Sequence, residues 1–104
     1  MQTYREFWPV YLAAHKDKRS RACHFIGSTL ALFFLGVALV THNGWFLAGA
    51  PLSGYGAAWI GHFGFEHNRP ATFGHPVWSL ASDYRMYGLW LTGGLAAERA
   101  KYGF

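Results

Sequence analysis

The chain has 104 residues, enough for one domain, and a domain that small buries a limited apolar core in water. Hydrophobic residues make up 52% and aromatics 19%, while charged residues reach only 13%, roughly half the charged share of an average soluble protein. The formal net charge is +4, but the basic residues are scattered among tryptophans and glycines, which argues against a nucleic-acid partner. The single cysteine, Cys23, excludes an internal disulfide and any multi-cysteine zinc or iron–sulfur site.

Every formal charge lies in residues 5–21 or 66–101, and such a gap suits lipid better than water. The N-terminus has no small-residue cleavage site after a short apolar core, so a secretory signal is not expected. Thr3 and Glu6 have capping-box spacing, and Phe7, Trp8, Tyr11 and Leu12 give an aromatic face; residues 4–15 are predicted as an interfacial helix. The cluster from His15 to Arg21 marks a membrane boundary. Residues 24–41 form the clearest membrane helix, with an apolar run about 26 Å long as a helix. His42, Asn43 and Gly44 make the turn, and residues 45–67 are predicted as a second, bent membrane helix containing Pro51. Asn68, Arg69 and Pro70 end it, residues 68–82 read as a loop, and Ser82 or Asp83 caps a last helix over residues 83–101.

The fold class expected is therefore all-α: one small membrane helical bundle built on an antiparallel transmembrane hairpin with flanking interfacial helices. Lys16, Lys18, Arg19, Arg21, Arg69 and Arg85 then share one side, which the positive-inside rule makes cytoplasmic, in a bacterial inner membrane or in the endoplasmic reticulum. The glycines at 27, 36, 49, 54, 56, 61 and 64 permit close helix contact. A chain this short gains from lipid or from self-association, so a homo-oligomer is one expectation.

Five of the six histidines, His15, His24, His62, His67 and His75, fall on the basic side of this hairpin. His62 and Glu66 have i, i+4 spacing, which places both on one face of an α-helix. His24 and His62 come to the same depth in a hairpin, and His15 approaches from the preceding helix end. Histidines plus one carboxylate suit iron(II), zinc or manganese, and ionisable groups at membrane depth are commonly functional. The bland alternative makes these histidines polar caps at helix ends. Catalytic candidates are His15, His24, His62 and Glu66; metal-ligand candidates are those four with His67. Arg69 and Arg85 are candidates for holding a substrate carboxylate, against lipid phosphate as the alternative. No phosphate-cradling loop and no nucleophile elbow occurs.

Two stretches carry more than generic chemistry: Tyr11-Leu-Ala-Ala-His15 followed by Cys23-His24-Phe-Ile-Gly27, and Trp59-Ile-Gly-His62-Phe-Gly-Phe-Glu66-His67-Asn-Arg-Pro70-Ala71 continuing to Pro76-Val-Trp78-Ser79-Leu80 and Asp83. Together they resemble the 2-hydroxy fatty acid dioxygenase family over about residues 4–95. The resemblance implies a small multi-helix membrane protein that uses Fe2+ and O2 to shorten a 2-hydroxy fatty acid by one carbon, an activity its eukaryotic members perform in phytosphingosine breakdown. It implies His15, His24, His62 and Glu66 as the iron site, with His67 and His75 carried over less securely. Two other readings use the same residues: a zinc hydrolase with Glu66 as general base, and a non-catalytic membrane module binding a metal or haem.

Overall fold

The computed structural model describes residues 3–104, which are helical with no strand among them. Helix α1 spans Tyr4–Ala13, α2 Lys18–Thr41 and α3 Trp45–Ile60; a π-helical turn, Gly61–Glu66, prolongs α3 without a break. A 3-10 turn at Ala71–Phe73 leads to α4, Pro76–Thr92, and α5, Leu95–Lys101.

Local chemistry sets these limits. Helix α2 begins ahead of the apolar run because Asp17 caps it: the carboxylate accepts from the Arg19 backbone N–H at 2.8 Å and pairs with the Arg19 guanidinium at 2.9 Å. That side-chain partner, helped by the backbone N–H, holds Asp17 down to about 2. At the far end His42 turns the chain in the left-handed region, φ 54°, and the Asn43 side chain accepts from the Trp45 N–H to start α3.

The segment expected to be a loop, residues 68–82, is irregular only as far as His75. Pro76 stands at the first position of α4, where a missing N–H is not needed and the fixed φ suits a helix. Asp83 is consequently an interior residue of α4 rather than a cap. The expected last helix is broken into two by Gly93, at φ 80°, and Gly94.

Helices α2 and α3 form an antiparallel pair whose close approach depends on glycine. A Cβ on Gly27 would stand 2.9 Å from the Ala57 Cβ and 3.0 Å from the Gly54 carbonyl, and one on Gly61 would stand 3.1 Å from the Ser20 carbonyl. Gly36, Gly56 and Gly64 face open space and play no such part. Helix α1 lies across the basic end. Its apolar face, expected to lie on a membrane surface, is instead spent on the protein core: Phe7, Trp8, Tyr11 and Leu12 are buried with Phe25, Met86 and Leu95.

Among the described residues one helix, Lys18–Thr41, is long and apolar enough to cross a membrane, and only 33% of its most apolar window is buried in the protein. Helix α3 is apolar yet buries only Ala58, so the far end of the pair presents Val40, Trp45 and Leu52 outward at 82%, 86% and 74% exposure.

Gly27→Leu is expected to force α2 and α3 apart and cost about 1–3 kcal/mol as overpacking. Gly36→Ala, in open space within the same helix, is expected to be neutral or to stabilise by up to about 1 kcal/mol. Thermal unfolding of the two variants in one detergent checks the pair; equal effects would contradict the packing described.

Candidate metal centre

Three segments deliver three buried imidazoles to one point. His15 comes from the turn between α1 and α2, His24 from the second turn of α2, and His62 from the π turn that ends the α3 rod. Their exposures are 1%, 5% and 2%. The Nε2 atoms of His15 and His24 are 2.9 Å apart, and those of His24 and His62 are 3.2 Å apart. One ligand atom from each of the three lies within 4.8 Å of the others.

The outer edges of the rings explain why the inner nitrogens converge. His15 Nδ1 donates to the Tyr11 carbonyl at 2.6 Å. His62 Nδ1 donates to Asn68 Oδ1 at 2.7 Å; the Asn68 amide donates in turn to the Ala14 carbonyl at 3.0 Å, which fixes which end of the amide faces the ring. His24 Nδ1 lies 3.5 Å from Asp83 Oδ1, an electrostatic contact longer than a short hydrogen bond. With a proton held on Nδ1 of His15 and of His62, the Nε2 lone pairs of these two rings both face His24 Nε2. Nitrogens so crowded repel unless a cation or a proton lies among them.

The donor set suits a metal ion. Bonds of about 2.1 Å from one ion to two imidazole nitrogens give separations of about 3.0 Å at a right angle and about 3.4 Å at the tetrahedral angle, and the two measured spacings fall in or near that range. Acceptors behind the rings are the usual outer support of metal-binding histidines. Burial pushes His15 well below its ordinary value, reinforced by the neighbouring His24 and His62, so its ring is neutral at physiological pH as a ligand must be.

Asp83 completes the surroundings. Its side chain is 13% exposed, accepts from the Tyr11 hydroxyl at 2.5 Å, and is pushed up to about 6 by burial, with the tyrosine opposing the shift. Beside it a cavity of about 360 Å3 opens between α2, α3 and α4, lined by His24, Asp83 and Tyr84 at one part and by Ala31, Pro51 and Leu80 elsewhere.

The other residues singled out in the sequence stand apart from this cluster. Glu66 lies outside the group of three whose ligand atoms come together, though its carboxylate is near enough to favour a charged His62. Its Oε1 instead accepts from the Asp17 N–H at 2.6 Å, bracing the start of α2. His67 is exposed and closes the π turn at φ 56°. His75 stacks on Trp78 with ring centres 4.9 Å apart. The Arg69 guanidinium lies 5.2 Å from the centre of the Phe73 ring. Arg85 sits over Trp8 at 4.1 Å and pairs with Glu98 at 3.6 Å, while Trp8 donates to the same carboxylate at 3.0 Å; it ties α1, α4 and α5 together. Tyr11, Asn68 and Asp83, which stand behind or beside the imidazoles, read in the sequence as part of an interfacial aromatic face, a helix stop and a cap. The signal available for them was that all three fall inside or beside the histidine motifs.

Fold and site together define a helical bundle closed around three buried histidines competent to bind a metal. Residues 1–95 match the model of the 2-hydroxy-palmitic acid dioxygenase Mpo1-like family, and the chain belongs to that family. No curated protein and no solved structure matches it.

His24→Ala is expected to abolish stoichiometric metal binding, whereas Asn68→Ala, which leaves all three imidazoles in place, is expected to weaken it about 10–100-fold. Competition titration against a chelator measures both. Unchanged affinity in Asn68→Ala would mean that the ring support described does not matter for binding.

Proposed function

We propose that this protein is an iron(II)-dependent dioxygenase of the membrane that converts a 2-hydroxy fatty acid to the fatty acid one carbon shorter. The overall reaction balances as 2-hydroxy acid plus O2 giving the shorter acid, CO2 and water: the bond between the carboxyl carbon and the α-carbon breaks, the α-carbon becomes the new carboxyl, and O2 takes up four electrons. The observation that carries this reading is the convergence of three Nε2 atoms in a chain of this family.

Iron held by His15, His24 and His62 would supply the redox chemistry with O2 that zinc, which has no accessible second oxidation state, does not. The chain's own residues do the rest. The Tyr11 carbonyl and Asn68 keep His15 and His62 in one tautomer and orientation, and Asp83 stands beside His24. Asp83, poised near 6 at the cavity wall, can take the proton of the 2-hydroxyl group. The apolar wall formed by Ala31, Pro51 and Leu80 accepts the acyl chain. The hydrolase alternative assigns the base to Glu66, and Glu66 is engaged with the Asp17 N–H.

The same reading places the protein in a membrane. Helix α2 makes one pass, and α3 with its π turn, apolar and with one face against α2, makes the return. Lys16, Lys18, Arg19, Arg21 and Arg69 then border the cytoplasmic headgroups, at the end of the bundle where the histidines lie.

With 2-hydroxypalmitate the purified iron-loaded protein is expected to consume O2 and release CO2 and pentadecanoate in equal amounts, and the zinc-loaded protein to be inert. Because Asp83 must be ionised to accept the proton, the rate is expected to fall as pH drops through about 6, and Asp83→Asn to lower kcat by about 100-fold or more. Oxygen-electrode and product measurements across pH check this. Turnover that proceeds without O2, or that survives His62→Ala, would end the proposal.

A further inference from the structure

A second groove lies on another face of α2. It has a volume of about 640 Å3 and runs between α2 and the α4–α5 junction. Lys18 and Arg21 from the first turns of α2 and Arg99 from α5 stand at one end of it, and Ile26, Leu30 and Trp90 line the remainder. From Lys18 to Leu30 the wall extends about 18 Å along the helix. Phe25 stacks on Trp90, ring centres 4.4 Å apart and 8° from parallel, so the wall is stiff. Phe25, Ile26 and Thr29 line this groove whereas His24, Ser28 and Ala31 line the cavity at the histidines, so the two spaces are separate.

No carboxylate is among the residues that line the groove. Arg21 and Arg99 are close enough to repel each other. Arg21 gives Nη1 to the His15 and Lys16 carbonyls, each at 2.8 Å, while Asp17 and Glu66, which attract it at longer range, are engaged with Arg19 and with the Asp17 N–H. The Arg99 Nε is buried and has no hydrogen-bond partner among the described residues, an arrangement that costs free energy unless a ligand supplies the acceptor. None of the ion pairs among the described residues includes Lys18, Arg21 or Arg99.

We propose that this groove is a binding site for one anionic phospholipid, its phosphate held by Lys18, Arg21 and Arg99 and one acyl chain lying against Ile26, Leu30 and Trp90. A phosphate has oxygens enough to serve cations arriving from two helices, and guanidinium pairs match it well. The groove opens sideways along Ile26 and Leu30, themselves 59% and 41% exposed, so a lipid enters from the bilayer without leaving it. Basic pockets between helices at the cytoplasmic face are where anionic headgroups are recognised. The lipid bridges α5 to α2 and neutralises the crowded cations.

The test uses the full chain in neutral detergent, offered equal phosphatidylglycerol and phosphatidylcholine, with retained lipid counted by native mass spectrometry. One phosphatidylglycerol per chain is expected, preferred by about tenfold or more over phosphatidylcholine. Arg99→Gln is expected to lower that preference, and Ala96→Phe, which fills the groove wall, to lower retention of both lipids. Metal stoichiometry is expected to stay unchanged in the two variants, which separates this site from the histidine centre. Equal retention of the two lipids by the unaltered chain overturns the proposal, with no reliance on how any variant folds. So does palmitate displacing phosphatidylglycerol mole for mole, which would make the groove a free fatty acid site, or an unchanged preference in Arg99→Gln.

Discussion

The bundle is organised around three buried imidazoles whose inner nitrogens converge. A carbonyl behind His15 and an amide oxygen behind His62 each hold Nδ1–H, so the Nε2 lone pairs of both rings face His24 Nε2, at 2.9 and 3.2 Å, in a space almost free of solvent. His24 has one proton at most to share between them while neutral. A cation does satisfy them, and the helices are arranged around that requirement: α1 supplies the Tyr11 carbonyl and hydroxyl, the chain after the π turn supplies Asn68, and α4 supplies Asp83.

The π turn and the glycines are the means by which distant parts of the chain meet at the right depth. Gly61 lets the end of the α3 rod press against the Ser20 backbone, and His62 follows it directly into the centre. Beyond His62, Glu66 reaches the start of α2, where it accepts from the Asp17 N–H, and the chain reverses through His67 at φ 56° so that Asn68 returns to His62. A π segment of this kind is strained relative to an α-helix and is found mostly at functional positions.

Much of this was legible in the sequence, for reasons that are physical. The all-helical fold followed from the length and apolar character of the uncharged run, and the meeting of His24 with His62 followed from folding that run back on itself at His42–Gly44. Other features were hidden because they depend on tertiary partners. Asp17 and Pro76 start helices earlier than hydropathy alone indicates. The i, i+4 spacing of His62 and Glu66 does not reveal that the Asp17 N–H, remote in the chain, takes up the carboxylate, and nothing in GHFGFE announces a π turn. Arg85 looked free to meet a substrate because its partners, Trp8 and Glu98, are remote in the chain. The amphipathic face of α1 was indistinguishable from one that lies on lipid until its burial against Met86 and Leu95 was seen.

The central claim is that three imidazole nitrogens share one metal ion. X-ray absorption at the edge of whatever metal copurifies with the full chain tests it most directly. Three imidazole scatterers at about 2.0–2.2 Å are expected, dropping to two in His15→Ala. A spectrum with fewer than three imidazoles in the unaltered protein, or one whose imidazole count is the same after loss of His15, would contradict it.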